Sequence, residues 1–467
     1  MSHVRFDDEA FDTTVPVAIV GAGAAGLCAA LAAAEAGIEP VVFERDAVPQ
    51  GSTALSAGLI PAPATDAQRA AGIDDTVERF AADIQAKAHG EADPVVLDLV
   101  ARGAGPAIDW LSRRHGLAFT VVADFSYPGH SARRMHGLPS RSGAELIDRL
   151  RAAAENAGIG IVTEAHVTAL IAGADGRVRG LEVRRPDGSA ERIGAETVIL
   201  ACNGYGGNKA MVAAHIPDLA EALYFGHAGN QGDAVLWGTA LGAGVKHMTG
   251  HQGHGSVAHP HGILISWAVI MEGGFQVNAE GRRFWNEAQG YSEAGIAVLR
   301  QPGGIAWDVF DERIAGIARQ FEDFRRAETA GAIVSAATPA ALADAMKMPR
   351  DALDATLVSA AGQARAGGTD GFGRDWAGLL PLTPPYRAVR VTGALFHTQG
   401  GLMVDRQARV CRPDGSSLPN LFAAGGAAVG VSGPDSSGYL SGNGLVTAVV
   451  LGRIAGTEAA RQVLHGI

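Results

Sequence analysis

The sequence predicts an α/β protein in which a Rossmann-like domain is interrupted by an inserted α+β capping domain. Three observations lead to this prediction. A glycine motif follows an apolar strand near residue 20, residues 251–395 lack βαβ alternation, and strand-then-glycine character resumes at residues 421–426. The expected organisation is a mobile tail (1–14), a nucleotide-binding domain in two parts (15–250 and 396–467), and a capping or substrate domain (251–395).

The first element after the expected tail is a strand, turn, helix and strand unit. Residues 15–20 are apolar and β-branched, the motif GAGAAG occupies residues 21–26, and an Ala/Leu-rich helix extends to Glu35. Residues 40–44 then have the composition of a buried parallel strand. This succession is typical of a βαβ unit that binds a dinucleotide.

Each glycine of the motif has its own physical role. Gly21 makes the tight turn, Gly23 lets the backbone approach a pyrophosphate, and Gly26 lets the helix pack on the strand. The N-terminus of the helix supplies free N–H groups and positive dipole to the phosphates. Glu44 ends the second strand 18 residues after Gly26, where a carboxylate can accept a hydrogen bond from the adenosine ribose. We therefore predict a bound dinucleotide.

The rest of the nucleotide-binding half shows ordinary α/β signals. The predicted elements are a helix at 143–157, a strand at 159–162, a hairpin or meander from 178–185 to 191–200, a strand ending near 204, a strand at 421–424 and a helix at 444–459. Residues 51–58 are rich in Gly, Ser and Thr and are expected to form a loop.

Charge and composition exclude several functions. The formal charge of -11 and the lack of Lys/Arg runs argue against nucleic-acid binding. Residues 1–14 are acidic and lack an apolar run, and no segment approaches 18 apolar residues, so we expect a soluble, cytoplasmic protein without a signal peptide or membrane span. Neither the three cysteines nor the five histidines within 247–261 have metal-ligand spacing, so no metal site is expected.

Four stretches, in this order, resemble the flavoprotein family of fumarate reductase, succinate dehydrogenase and 3-ketosteroid dehydrogenase. They are residues 21–26 with Glu44, residues 51–58, residues 273–287, and residues 422–426 with 452–456. The resemblance implies an FAD-binding domain of the glutathione-reductase type. Succinate dehydrogenases carry a flavin-linking histidine where this sequence has Ser52, so the FAD is expected to be non-covalent.

The resemblance also implies which residues contact FAD. The 51–58 segment is expected to run along the flavin and pyrophosphate, with hydroxyls from Ser52, Thr53 and Ser56 and backbone amides from Ala57 and Gly58. The full expected set is Gly21, Gly23, Ala24, Ala25, Gly26, Glu44, Arg45, Gly51, Ser52, Thr53, Ser56, Ala57, Gly58, Val167, Gly204, Gly425, Gly426, Gly442 and Leu445.

Departures from the fumarate reductase pattern indicate the substrate. Tyr291 and Tyr439 stand where those enzymes carry a proton-shuttling and a carboxylate-clamping arginine, and Trp267 replaces the acid of their proton relay. Arginine forks suit carboxylates, whereas a phenol donates one neutral hydrogen bond, as a ketone oxygen requires. The two tyrosines, with Ser441, resemble the Δ4-(5α) subtype of 3-ketosteroid dehydrogenase.

This resemblance implies an FAD-dependent desaturase that introduces a double bond beside the carbonyl of a cyclic ketone, a 3-ketosteroid or a smaller oxo-cyclohexane. Tyr439 and a backbone N–H within Gly442 to Gly444 are expected to polarise the carbonyl. Tyr291 is expected to take the α proton, with Ser441 as a relay, while hydride passes to flavin N5. A tyrosine has a pKa near 10, so this role predicts an alkaline pH optimum.

A second interpretation of the substrate stays open, that it is a carboxylic acid. His397 matches the histidine with which fumarate reductases bind a substrate carboxylate, and it favours a reductase or dehydrogenase of a carboxylic acid. Ser266, Trp267 and Tyr127 are further expected substrate contacts. The sequence has no haem motif, iron–sulfur cysteine set or second GxGxxG, so electrons are expected to pass to an external acceptor: a quinone, oxygen or a redox protein.

Overall fold

The computed structural model describes residues 4–123 and 126–466. Its strands are β1 Val4–Phe6, β2 Thr13–Val20, β3 Pro40–Phe43, β4 Ile60–Pro61, β5 Thr120–Val121, β6 Met135–Gly137, β7 Gly160–Val162, β8 His166–Ala172, β9 Val178–Arg184, β10 Ala190–Leu200, β11 Leu223–Tyr224, β12 Val245–Lys246, β13 His251–Ala258, β14 Ile263–Leu264, β15 Phe275–Val277, β16 Ile305–Asp311, β17 Ile333–Ala336, β18 Tyr386–Thr398, β19 Gly401–Leu402, β20 Arg409–Cys411 and β21 Ser417–Ala423.

The helices lie between and after these strands. They are α1 Ala24–Glu35, α2 Gly51–Ala54, α3 Asp66–Ala70, α4 Val77–Lys87, α5 Pro94–His115, α6 Gly143–Asn156, α7 Lys209–His215, α8 Asp233–Ala240, α9 Ala268–Met271, α10 Tyr291–Leu299, α11 Glu312–Ala318, α12 Glu322–Thr329, α13 Pro339–Met346, α14 Arg350–Ala366 and α15 Asn443–His465. Within the described residues, no helix is both long and apolar enough to cross a bilayer.

The larger sheet combines the early part of the chain with its last strands. Its order is β1-β8-β9-β10-β2-β3-β7, and β21 pairs in parallel with β10 and antiparallel with β20. The parallel neighbours β10, β2 and β3 are buried and apolar where they meet, as expected of strands covered on both faces. Helix α15 packs on α1 so closely that a Cβ at Gly452 or Gly456 would overlap a carbonyl oxygen of α1. The α/β fold class predicted from the sequence is confirmed.

The predicted strand, turn, helix and strand unit is present as β2, α1 and β3, and α6, β7 and the β9–β10 hairpin also lie where they were predicted. Two local expectations were wrong. The segment expected to be a mobile tail contains β1, which pairs in parallel with β8, and Asp7 forms an ion pair with Arg192. The 51–58 segment begins with the single helical turn α2 instead of an open loop.

A second sheet has the order β14-β13-β18-β16-β15, with β11 and β17 also paired to β18. Strand β18 is its longest member at 13 residues and carries Phe396 and His397 near its end. It runs past residue 395, and β11 joins the sheet from an earlier part of the chain. The extent of the capping domain, 251–395, therefore stays a proposal.

A buried ion-pair network holds the segment that precedes α10. Glu287 is fully buried and accepts hydrogen bonds from Arg283 (Nη2 to Oε2, 2.6 Å) and Arg374 (Nη1 to Oε2, 3.2 Å). Arg283 also donates to Asp370 at 2.6 Å, and Arg374 donates to the carbonyls of residues 270 and 274 at 2.9 Å. These ion pairs hold the end of the 273–287 stretch in place, directly before α10 begins at Tyr291.

Glu287→Ala is expected to lower the free energy of unfolding by about 3–5 kcal/mol, because it leaves two buried guanidinium groups without their shared carboxylate. Urea denaturation of the FAD-loaded protein measures the difference. Glu280→Ala is the matched control, because Glu280 is an exposed glutamate of the same block. Equal denaturation midpoints for both variants would contradict a stabilising role for the network.

Candidate active site

One long cleft joins the glycine turn after β2 to the second sheet. It encloses about 2050 Å³ between protein atoms, counting the open solvent at its mouth. Residues of the β2, β3 and β10 ends line one end, and residues of β13, α10, β18 and the turn before α15 line the other. Carboxyl ends of parallel strands are the usual ligand site of such sheets.

The β2 end of the cleft fits a dinucleotide. Gly21 has φ +101° and a Cβ there would lie 2.7 Å from the Ala201 carbonyl oxygen, while a Cβ at Gly26 would overlap the Gly21 carbonyl oxygen. Gly23, Ala24 and Ala25, at the N-terminus of α1, line the cleft beside this tight turn, where a helix N-terminus favours a phosphate. Glu44 is buried beside them and accepts a hydrogen bond from the Ala22 amide at 2.8 Å.

Two buried polar atoms of lining residues also fit a bound cofactor. Thr447 Oγ1 and Trp237 Nε1 have no hydrogen-bond partner among the described residues, and both side chains line the cleft. Leaving a buried donor or acceptor unpaired costs about 1–3 kcal/mol, so a ligand that bonds to them is favoured. The residues present fit FAD.

The hydroxyls of the 51–58 segment hold that segment in place. Thr53 Oγ1 accepts from the Ala24 amide at 3.1 Å, and Ser56 Oγ donates to the Thr53 carbonyl at 2.7 Å. Ser52 Oγ accepts from the His227 amide at 3.1 Å and from Asn230 Nδ2 at 2.8 Å. The Ser56 hydrogen is therefore used within the turn, which differs from its expected donation to the cofactor.

Most of the residues expected to contact FAD line the cleft. They are Gly21, Gly23, Ala24, Ala25, Glu44, Arg45, Gly51, Ser52, Thr53, Ser56, Ala57, Val167, Gly425, Gly426, Gly442 and Leu445. Gly26, Gly58 and Gly204 are outside the lining. A Cβ at Gly58 would lie 2.5 Å from the Ser142 carbonyl oxygen, and one at Gly204 would overlap Thr398 Oγ1, so both glycines permit close packing behind the cleft.

At the other end of the cleft, the two predicted tyrosines face each other. The ring centroids of Tyr291 and Tyr439 are 6.1 Å apart, and both side chains are buried. Tyr291 is the first residue of α10, and its hydroxyl bonds to the Ser441 side chain. The Tyr439 hydroxyl accepts from the Gly444 amide at 3.3 Å and lies 3.4 Å from His397 Nε2. The geometry thus brings these residues together, and their roles remain proposals.

The backbone donors differ from expectation. The Gly444 amide bonds to the Tyr439 hydroxyl oxygen and the Gly442 amide is turned toward it, whereas the sequence led us to expect one of them to face a substrate carbonyl. A phenol whose oxygen accepts N–H groups becomes a stronger donor through its own hydrogen. Their effect on a substrate would therefore be exerted through Tyr439.

Burial keeps the groups at this end neutral. It raises the pKa of Tyr439 and, together with the nearby Tyr439, holds the pKa of Tyr291 well above the usual 10. It lowers the pKa of His397 to about 4 and that of His254 to about 3. At neutral pH the site therefore presents protonated phenols and uncharged imidazoles.

His254 was not predicted to be a site residue, because it belongs to a histidine-rich stretch (247–261) to which no role was assigned. The His254 imidazole stacks on the Tyr291 ring with centroids 4.8 Å apart and planes at 21°. Its Nδ1 accepts from the Ser256 amide at 3.0 Å, so Nε2 carries the hydrogen. Gln252 and His254, two apart on β13, both line the cleft, and this strand alternation was the available signal.

The remaining expected substrate contacts lie around the tyrosines. The Tyr127 ring is 6.2 Å from the Tyr291 ring, its hydroxyl bonds to Ser266, and burial raises its pKa to about 12. Trp267 is buried edge-on to His254 at 5.9 Å. Apolar surface in the same part of the cleft comes from Leu59, Met135 and Phe321. The arrangement can hold a mostly apolar molecule and give neutral hydrogen bonds to one polar group.

The chain matches one family model and is similar to flavoenzymes with different substrates. A family model described as FAD binding domain matches residues 16–445. A probable fumarate reductase from Shewanella frigidimarina is 32% identical over 97% of this chain and 76% of its own length. A 4-oxocyclohexanecarboxylate 2-dehydrogenase from Sinomonas cyclohexanicum is 25% identical over 96% of this chain and 93% of its own.

Among solved structures, the 3-ketosteroid Δ4-(5α)-dehydrogenase of Rhodococcus jostii aligns with a TM-score of 0.74 at 24% identity, over 98% of this chain and 99% of that one. At this identity the likeness concerns the fold. It covers both sheets, since almost the whole of each chain takes part in the alignment.

Proposed function

The chain belongs to the FAD binding domain family and is an FAD-dependent oxidoreductase acting on CH–CH bonds, and from this premise we propose that it desaturates a cyclic ketone. The proposed substrate is a 3-ketosteroid or a smaller oxo-cyclohexane, and the proposed product carries a double bond next to the carbonyl. An external quinone, oxygen or redox protein is the proposed final electron acceptor.

The main support for this proposal is that two buried, neutral phenols, those of Tyr291 and Tyr439, lie side by side in the cleft. By the sequence resemblance, Tyr291 and Tyr439 stand where fumarate reductases carry arginines. Burial lowers the pKa of the neighbouring His397 to about 4 and that of His254 to about 3. A dicarboxylate bound here would lose its hydration without gaining a positive partner from these groups, which is costly. A ketone brings no charge and needs one strong donor.

Tyr439 and Tyr291 have different roles in the proposed reaction. Tyr439 donates its hydroxyl hydrogen to the carbonyl oxygen, and the amides on its own oxygen strengthen that donation as negative charge develops. Tyr291, after losing its own proton, accepts the α proton on its oxygen and becomes a neutral phenol again, while the Ser441 hydroxyl donates to that oxygen. When bound, FAD supplies the redox chemistry by taking the β hydrogen with its electron pair.

A carboxylic acid remains the second candidate because of His397 and His254. Both imidazoles line the cleft near Tyr439 and Tyr291, and each can give one N–H to an oxygen. The relative named as a 4-oxocyclohexanecarboxylate 2-dehydrogenase acts on a molecule with both a ketone and a carboxylate. A small keto acid would therefore use the tyrosines and the histidines together.

Anaerobic mixing of the FAD-loaded protein with a substrate panel tests the proposal. The panel contains 3-ketosteroids, 4-oxocyclohexanecarboxylate, cyclohexanecarboxylate and succinate, and the absorbance of oxidised flavin is followed. Bleaching by a ketone is expected, and cyclohexanecarboxylate, which lacks only the ketone, is the matched control. Bleaching by succinate alone, or reoxidation of reduced enzyme by fumarate alone, would replace the ketone with the carboxylic acid.

The rate of flavin reduction is expected to rise with pH. The pKa of Tyr291 is held well above 10 by burial, so the deprotonated form that accepts a proton directly becomes more abundant throughout the range below that pKa. We expect no plateau between about pH 6 and pH 10. Stopped-flow measurements at saturating substrate check this, with dithionite reduction as the control. A rate that falls above neutral pH would contradict Tyr291 as the proton acceptor.

A further inference from the structure

The segment from Tyr127 to Arg134 lies against the turn that carries Tyr439 and Ser441. A Cβ at Gly129 would lie 2.8 Å from Leu440 Cδ1, so the two segments are in close contact. Tyr127 reaches the cleft from this segment. Of this segment, only Tyr127 takes part in the proposed site, and the proposed chemistry uses neither His130 nor Arg134.

His130 bonds to the backbone of Ser441. Its Nε2 donates to the Ser441 carbonyl oxygen at 3.0 Å, and its Nδ1 lies 3.3 Å from Arg134 Nη1. A guanidinium nitrogen only donates, so Nδ1 accepts and the hydrogen resides on Nε2. Burial and the positive charge of Arg134 lower the pKa of His130 to about 4, which keeps this neutral tautomer at working pH.

The Arg134 side chain is held by two carboxylates and an aromatic ring. Its guanidinium pairs in bidentate fashion with Asp75 (Nε to Oδ2, 2.8 Å; Nη2 to Oδ1, 2.9 Å) and through Nη1 with Asp83. The guanidinium also lies 5.0 Å from the centroid of the Phe80 ring, and its side chain is fully buried. A bidentate, buried guanidinium has little freedom, so it gives His130 one orientation.

The bond to Ser441 matters because of the geometry of the peptide unit. The Ser441 carbonyl and the Gly442 amide belong to one planar peptide, in which they point in opposite directions. With the carbonyl turned toward His130, the Gly442 amide points the opposite way, toward the Tyr439 hydroxyl, whose pKa it lowers. The same residue presents the hydroxyl that bonds to Tyr291.

We propose that His130 is a positioning residue that sets the orientation of the Ser441–Gly442 peptide and, through it, of the Tyr439 hydroxyl and the Ser441 side chain. Arg134, with Asp75 and Asp83, holds His130 in the tautomer and rotamer this requires. The inference rests on the proposed function for what the two tyrosines do, and on the hydrogen bonds for how they are held.

The test compares His130→Leu with His130→Gln. Leucine removes both hydrogen bonds, whereas a glutamine amide can donate to the Ser441 carbonyl and accept from Arg134. The rate of flavin reduction at saturating substrate is expected to fall on the order of 10- to 100-fold in His130→Leu, the scale of a small displacement of catalytic groups. His130→Gln is expected to recover most of the rate, with KM and FAD content unchanged in both.

Several results would overturn the inference. A His130→Leu rate within twofold of wild type would do so, and so would equal losses in the leucine and glutamine variants. Should the leucine variant fold poorly, imidazole ¹⁵N shifts of the wild-type protein decide, with the His130 signal assigned from its loss in His130→Gln. A neutral Nε2–H tautomer is expected, and an Nδ1–H or doubly protonated ring contradicts it.

The role of His130 can be tested independently of the identity of the substrate. The His130 variants are measured with whichever panel compound bleaches wild-type flavin. A panel in which only carboxylic acids react would remove the ketone proposal, and a slowed leucine variant would still support the positioning role. A ketone-active wild type with an unaffected leucine variant would remove the positioning role alone.

Discussion

Tyr291→Phe is expected to slow flavin reduction about 10²- to 10⁴-fold, the usual contribution of a positioned acid or base. The phenylalanine keeps the ring that stacks on His254 and packs beside Tyr439, so the cleft retains its shape. What disappears is the oxygen that bonds to Ser441 and would accept the α proton. Anaerobic stopped-flow absorbance with the substrate found in the panel measures the loss.

Tyr386→Phe is the matched control for this variant. Tyr386 begins β18 at the far end of the second sheet and is outside the described lining of the cleft. Its rate and its FAD content are expected to equal those of the wild type. A Tyr291→Phe enzyme that reduces flavin within about threefold of wild type would assign the proton to another acceptor.

Gly26→Ala is expected to yield protein that holds FAD at least about 100-fold more weakly, a loss of about 2.7 kcal/mol or more. The added methyl group would overlap the carbonyl oxygen of Gly21, which belongs to backbone and cannot rotate away. Either α1 moves off β2 or the turn opens, and both change the N–H groups that would face the pyrophosphate. Flavin content after purification and titration of apoprotein with FAD measure the effect.

Gly362→Ala provides the comparison, because Gly362 lies within α14 and a methyl group added there would meet nothing within 4 Å. This change is expected to leave FAD affinity unaltered and to add about 0.5–1 kcal/mol of stability. If Gly26→Ala binds FAD as tightly as Gly362→Ala, the close approach at Gly26 is unimportant for the cofactor site.

Much of the nucleotide-binding half was predictable because its signals are local. The glycine motif, the apolar strands and the helix at 24–35 are all read within short windows of sequence, and β2, α1 and β3 follow them. Strand β1 was missed because three residues carry no periodicity. Its pairing with β8, more than 160 positions away, exists only in the folded sheet.

The same distinction between local signals and long-range contacts applies to the candidate site. Tyr291, Tyr439 and Ser441 could be found because they occupy set positions within family-like motifs. The stacking of His254 on Tyr291 depends on how β13 and α10 meet, and the amides on the Tyr439 hydroxyl depend on the direction of single peptide units. The alternation along β13 could place His254 in the cleft, but neither its contact with Tyr291 nor the direction of the amides leaves a pattern in the sequence.

The contact of α15 with α1 has a consequence for the order of assembly. The glycines of α15 receive the carbonyls of α1, and Leu445 and Thr447 complete the same cleft that Gly21 and Gly23 begin. Almost the whole chain separates these two helices, so the ribosome makes the first half of the cofactor site long before the second. A nascent chain therefore cannot hold FAD as the finished protein does until α15 has emerged, and flavin capture becomes a late event of biosynthesis.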